Sequence, residues 1–195
     1  MKRRFILIIL LIVPILNFAQ TINEISITYG KSTGPASFSV LRTGFLNGAS
    51  SSFLRENNSF GVRYSTSIKN KPKLKIESGI DFLTGNLKIK PAPVGDPIND
   101  ASREEKITLV SVPIYLNHYF GKYFYINEGI MIDYQNTNTD TYTGFGAGIG
   151  FGIGTKFQYK KFTFYLNPKL EKHLFLSEKF GLLELGAKFG VGYNF

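Results

Sequence analysis

Residues 183–195 read Leu-Glu-Leu-Gly-Ala-Lys-Phe-Gly-Val-Gly-Tyr-Asn-Phe. The odd positions (Leu183, Leu185, Ala187, Phe189, Val191, Tyr193, Phe195) are all apolar or aromatic. The even ones (Glu184, Gly186, Lys188, Gly190, Gly192, Asn194) carry no large apolar side chain. Successive side chains of an extended chain point to opposite faces, so this is a strand with one oily and one polar side. Seven oily positions in a row exceed what a strand of typical length offers to a soluble core. The pattern suits a strand that meets hydrocarbon on one side and a polar interior on the other.

The same period of two recurs upstream. It marks strands over 24–30, 59–69, 74–83, 107–120, 122–134, 144–158 and 162–171, which with the C-terminal segment makes eight. Ile25, Ile27 and Tyr29 oppose Glu24, Ser26 and Thr28, for example, and Phe60, Val62 and Tyr64 oppose Ser59, Arg63 and Ser65. Short polar turns fall at Lys69–Pro72, Gly121-Lys122 and Lys160-Lys161. Longer links fall at 31–58, 84–105, 135–143 and 172–182. Short turns at one end and long loops at the other, on an even number of antiparallel strands, predict an eight-stranded up-and-down transmembrane β-barrel of the outer-membrane kind. The turn end, with both chain termini, then faces the periplasm.

Ahead of the first strand, Lys2-Arg3-Arg4 precedes twelve apolar residues, Phe5 to Leu16, and then Asn17-Phe18-Ala19-Gln20. A charged start, a short apolar core and a small residue at the cleavage point read as a secretory signal peptide. Twelve helical residues reach only about 18 Å against a hydrocarbon core of roughly 30 Å, and Pro14 weakens the helix further. The expected division is a signal peptide over 1–19 and an outer-membrane barrel domain over 20–195. The expected location is the cell outer membrane.

Composition removes other classes. The chain of 195 residues holds no Cys, which excludes disulfides and thiolate-ligated metals. Its 18 Phe and 11 Tyr supply too much apolar surface for a disordered coil. The net charge is +9, and cleavage after Ala19 lowers it to +6, dispersed along the chain and unlike a nucleic-acid footprint.

The chemistry-bearing residues fall on the polar side of the strands. Glu24, Arg63, Lys75, Glu77, Asp81, Asp133, Lys156, Lys169, Glu171, Glu184 and Lys188 all point inward, six acids against five bases. Near-balance suits a lumenal network of ion pairs, since an unpaired buried charge is costly. A lining of one sign would suggest an ion-selective pore. Arg63 and Glu77, on strands joined by a short turn, are expected to pair. The glycines at 144, 146, 148, 150, 152 and 154 keep a strict period of two, unlike a G-x-G-x-x-G nucleotide loop. Pairing about the Lys160-Lys161 turn sets Lys156 opposite Tyr165, Gly152 opposite Lys169 and Gly150 opposite Glu171, so small residues make room for long ones. The two histidines look isolated: His118 at the aromatic rim, His173 solvated at a loop entrance. No catalytic, cofactor-binding or metal-ligating set is expected, and no enzymatic activity.

The run Leu109 to Gly121 (LVSVPIYLNHYFG), followed by Lys122 to Gly129 (KYFYINEG), resembles a central motif of PorT-like outer-membrane β-barrel proteins. Tyr193-Asn194-Phe195, with Phe189 and Val191 on the same face, resembles the C-terminal aromatic signal read by barrel-assembly machinery. The resemblance implies outer-membrane lipid and that machinery as partners, together with an envelope or secretion protein. It implies a structural or partner-binding role linked to secretion. Two alternatives are a narrow small-solute channel and a soluble periplasmic barrel with an apolar, lipid-binding interior. Glu128 departs from the pattern: strict alternation aims it at lipid, where a bulge or a place near the interface would relieve it.

Overall fold

The computed structural model describes residues 23–37, 51–90, 103–137, 143–175 and 181–195. The expected signal peptide and half of the long-link residues lie outside the described residues. Eight strands follow one another: β1 (Asn23–Ser37), β2 (Ser51–Ile68), β3 (Lys71–Lys90), β4 (Arg103–Phe120), β5 (Phe124–Thr137), β6 (Gly144–Tyr159), β7 (Phe162–Phe175) and β8 (Gly181–Asn194). Each pairs antiparallel with its neighbour in sequence, and β1 also pairs with β8, closing the barrel. Closure leaves no sheet edge unpaired.

The three tight turns are built by residues with positive φ: Asn70 (62°), Gly121 (64°) and Lys160 (55°). The first carries a register shift between Ser67 and Ile68, the bulge that goes with a turn ending in a left-handed residue. The ladders of β5 with β4 and with β6 run without a shift, so Glu128 receives no bulge.

Most strands outrun the alternation that marked them. The 31–58 link contains the ends of β1 and β2, and 84–90, 103–106, 135–137 and 172–175 extend β3, β4, β5 and β7. In these extensions the outward positions turn polar, as at Lys31, Asn58, Thr84, Glu104 and Lys106, while backbone pairing continues. Hydropathy alternation measures the height of the oily belt; the hydrogen-bonded ladder extends beyond it.

The two faces are sharply divided. Outward side chains such as Ile27, Phe60, Ile114, Ile149, Leu185 and Phe189 are exposed. The barrel interior is polar toward the turns. Nearer the loop end a layer of Leu83, Leu87, Ile107, Leu109, Met131 and Leu182 is buried inside. An interior crowded with charges, under an exterior of aliphatic and aromatic residues, is the inverse of a lipid-binding lumen, and it overturns that alternative.

Candidate functional site

Eight strands leave an interior just wide enough to be filled by side chains. Here three polar clusters fill it, stacked from the turns toward the loops. At mid-height Arg63 on β2, only 2% exposed, donates from Nε to Asp81 Oδ1 at 2.9 Å and from its terminal nitrogens to Asp81 Oδ2 and, at 3.4 Å, to Glu77. Asp81 is therefore the main partner, and the expected Glu77 contact is the weaker one. Lys188 of β8 bridges Asp81 Oδ2 (2.9 Å) and both oxygens of Glu171 (3.1 Å). Lys169 also reaches Glu171 Oε1 at 3.2 Å, and the Tyr115 hydroxyl donates to that oxygen at 2.7 Å.

Toward the turns, Lys75 lies 3.4 Å from Glu24, and the Tyr165 hydroxyl donates to the same carboxylate. Lys156, expected to join an ion pair, instead holds its ammonium 3.8 Å from the centre of the Tyr119 ring. Stacking on a ring desolvates a lysine more cheaply than unpaired burial does. Toward the loops, His173 Nδ1 stands 2.9 Å from Asp133 Oδ2 and Nε2 stands 3.6 Å from Glu184 Oε1.

That third cluster corrects the reading of His173 as solvated. It is 2% exposed and faces the lumen. The error came from ending β7 at 171: two more residues of ladder put His173 on the same inward face as Lys169 and Glu171. His118 sits as expected, outward near the turns, its ring centroid 4.4 Å from that of Phe120.

The glycine file of β6 makes room, as the pairing of Gly152 with Lys169 and Gly150 with Glu171 implies. A Cβ on Gly152 would stand 2.9 Å from Lys169 Cγ. The bulkiest beneficiaries come from outside the β6–β7 pair: a Cβ on Gly150 would meet the Tyr115 ring of β4 at 2.9 Å, and one on Gly148 would meet Met131, its cross-strand partner on β5, at 2.6 Å. Tyr115 reaches β6 by crossing Gly129 of β5, and its hydroxyl ends at Glu171 on β7.

Interior cavities between these side chains measure about 10 and 30 Å³, room for single waters at most. Ser111 donates to Asp133 Oδ1 at 2.6 Å, so its hydroxyl serves the carboxylate rather than the imidazole. A serine nucleophile needs the base itself as hydrogen-bond partner, and this order does not provide one. Of the expected assembly signal, Phe189, Tyr193 and Phe195 are exposed on the outer face and Val191 is half-buried. The Phe195 amide donates to the Asn23 carbonyl at 3.0 Å.

No protein-family model and no curated protein sequence matches the chain. Among solved structures it is similar to the outer membrane protein OprG from Pseudomonas aeruginosa, with a TM-score of 0.51 and 11% identity over 89% of this chain and 95% of that one. It is also similar to Ail, the attachment invasion locus protein of Yersinia pestis, in complex with the heparin analogue sucrose octasulfate, with a TM-score of 0.49 and 13% identity over 91% of this chain and all of that one. A third likeness is to the outer membrane protease OmpT from Escherichia coli, at a TM-score of 0.41 and 7% identity over 91% of this chain and 98% of that one. The likeness to OprG is one of fold: a closed, antiparallel outer-membrane-type β-barrel.

Proposed function

We propose that this chain is a small outer-membrane β-barrel with a sealed lumen that works as an anchor and docking platform for an envelope partner, in the manner implied by its resemblance to PorT-like, secretion-linked barrels. The observation that carries the reading is the division of faces: an exposed apolar belt on all eight strands around an interior stapled by ion pairs. Such an exterior is stable only in hydrocarbon, and export by the N-terminal segment would deliver the chain there.

A second observation favours a partner at the turn end. The three tight turns present Lys69, Lys71, Lys73, Lys122, Lys160 and Lys161, all exposed, with no Asp or Glu among residues 69–73, 121–123 and 159–161. A cationic rim of this kind steers an acidic partner surface toward the periplasmic side.

Two measurements test the proposal. The purified barrel, reconstituted in planar bilayers, passes almost no current; discrete conductance steps would transfer the assignment to a small-solute channel. In cells, photo-crosslinkers at Lys122 and Lys161 capture one acidic envelope protein, while the same probe at Lys106 on the opposite end does not. Recovery of the chain from the soluble periplasmic fraction would reject the membrane reading.

A further inference from the structure

We propose that Glu171, His173 and Glu184 bind one divalent transition-metal ion inside the barrel. Glu171 and His173 are two apart on β7 and share its inward face, and Glu184 on β8 is the cross-strand partner of Glu171. One ligand atom from each lies within 4.8 Å of the others, and all three residues are at least nine-tenths buried. Together they line a cavity of about 10 Å³, the room taken by one water-sized sphere.

Three independent features point to a cation there. The first is the orientation of His173. Asp133 takes its Nδ1 at 2.9 Å and is itself held by Ser111, which turns Nε2 toward Glu184 Oε1. A carboxylate on the far nitrogen is what orients a metal-ligating imidazole and raises its basicity. The second is Glu184. Its Oε2 accepts from Ser32 at 2.9 Å, while Oε1 is buried, has no hydrogen-bond donor, and is aimed at the cavity. A carboxylate oxygen left so in a low-dielectric interior is costly, and a cation removes the cost.

The third is charge. At mid-height the carboxylates Glu77, Asp81 and Glu171 are matched by Arg63, Lys169 and Lys188, whereas the adjoining carboxylates Asp133 and Glu184 form ion pairs, among the described residues, with His173 alone. With a neutral imidazole the deficit is two positive charges, the charge of a divalent ion. One nitrogen and two carboxylate oxygens suit zinc, manganese, iron or cobalt rather than calcium, which takes oxygen ligands alone. Lys169 and Lys188 lie nearer the turns than Glu171, at two and four residues along their strands, and pair with its carboxylate, while His173 stands on the loop side. Glu171 Oε2, which among the described residues accepts from Lys188 alone, keeps a lone pair for the ion.

The test uses the full mature barrel refolded in detergent with Co²⁺ and then freed of excess metal. The expected result is one cobalt per barrel by elemental analysis, a visible d–d absorption, and a higher unfolding temperature than the barrel refolded in chelator. Glu184→Gln, which keeps shape and the Ser32 contact, abolishes cobalt binding while the barrel still migrates as a folded species on unheated gels. Asp133→Asn weakens binding by roughly 10–100-fold, as loss of an imidazole-orienting partner does. A folded wild-type barrel that carries no cobalt overturns the proposal, and shows His173 bridging Asp133 and Glu184 as an imidazolium instead. Cobalt retained equally by Glu184→Gln and His173→Asn overturns it too, since the metal then sits elsewhere.

Discussion

Among the described residues, Glu128 is the one acidic side chain that points outward from the middle of the apolar belt, paired across the sheet with Leu116 on one side and Phe151 on the other. Neither ladder bulges there, so the chain tolerates the charge rather than hiding it. Glu128→Leu is expected to stabilise the barrel in lipid by on the order of 1–2 kcal/mol, measured by urea unfolding in vesicles. An unchanged or lower stability would mean that Glu128 already has a compensating partner. Inside the lumen the sign reverses. Asp81→Asn strips a carboxylate from both Arg63 and Lys188 and should cost about 3–5 kcal/mol. Glu77→Gln should cost about 1 kcal/mol, because Glu77 is 22% exposed and its contact to Arg63 is long. Arg63→Met combined with Asp81→Asn should cost less than the two single changes together; strict additivity in that cycle would show that the pair does not interact. Parity alone revealed which charges point inward. It could not choose Asp81 over Glu77 for Arg63, since both share the same face of β3 and only the strand tilt decides between them.

At the scale of the strand, the alternation identified all eight strands and the polar breaks between them all three tight turns, because a barrel wall in hydrocarbon obeys it at nearly every position, Glu128 being a departure. It failed at the strand ends, where water replaces lipid outside and the wall can be polar on both faces. That failure cost the site its most informative residue, for His173 follows Lys172, an outward charge that interrupts the alternation of β7. The apolar inward layer of Leu83, Leu87, Ile107, Leu109 and Leu182 was illegible because the inward positions turn apolar there, as Leu83 beside outward Phe82 and Leu109 beside outward Val110, and the contrast between the faces is lost. β8 bears the complementary lesson. Its oily face runs to Phe195, whose ring is 55% exposed and so contributes little to the fold by packing. Deleting Phe195 should lower the amount of barrel inserted in the outer membrane, read by fractionation, while the purified and refolded variant keeps nearly wild-type stability. Insertion at the wild-type level would reduce the terminal aromatic to ordinary surface.

The whole molecule is a meander in which each strand pairs with its predecessor, and a single long-range ladder, β1 with β8, turns a sheet into a cylinder. That ladder matches Glu24 to Asn194 and runs to Ser37 and Gly181, so closure depends on the two ends of the described chain meeting in register. A closed ring has no privileged starting point. Because the Phe195 amide touches the Asn23 carbonyl, the two ends can be joined by a few glycines and new ends opened in any long link. Circular permutants cut between β3 and β4, or between β5 and β6, should refold in detergent to the same heat-modifiable cylinder, whereas a cut within the Lys160-Lys161 turn should refold more slowly. Chain order is thus dispensable to the finished wall: what the barrel requires is cyclic adjacency, and the position of its seam is an accident of where translation begins.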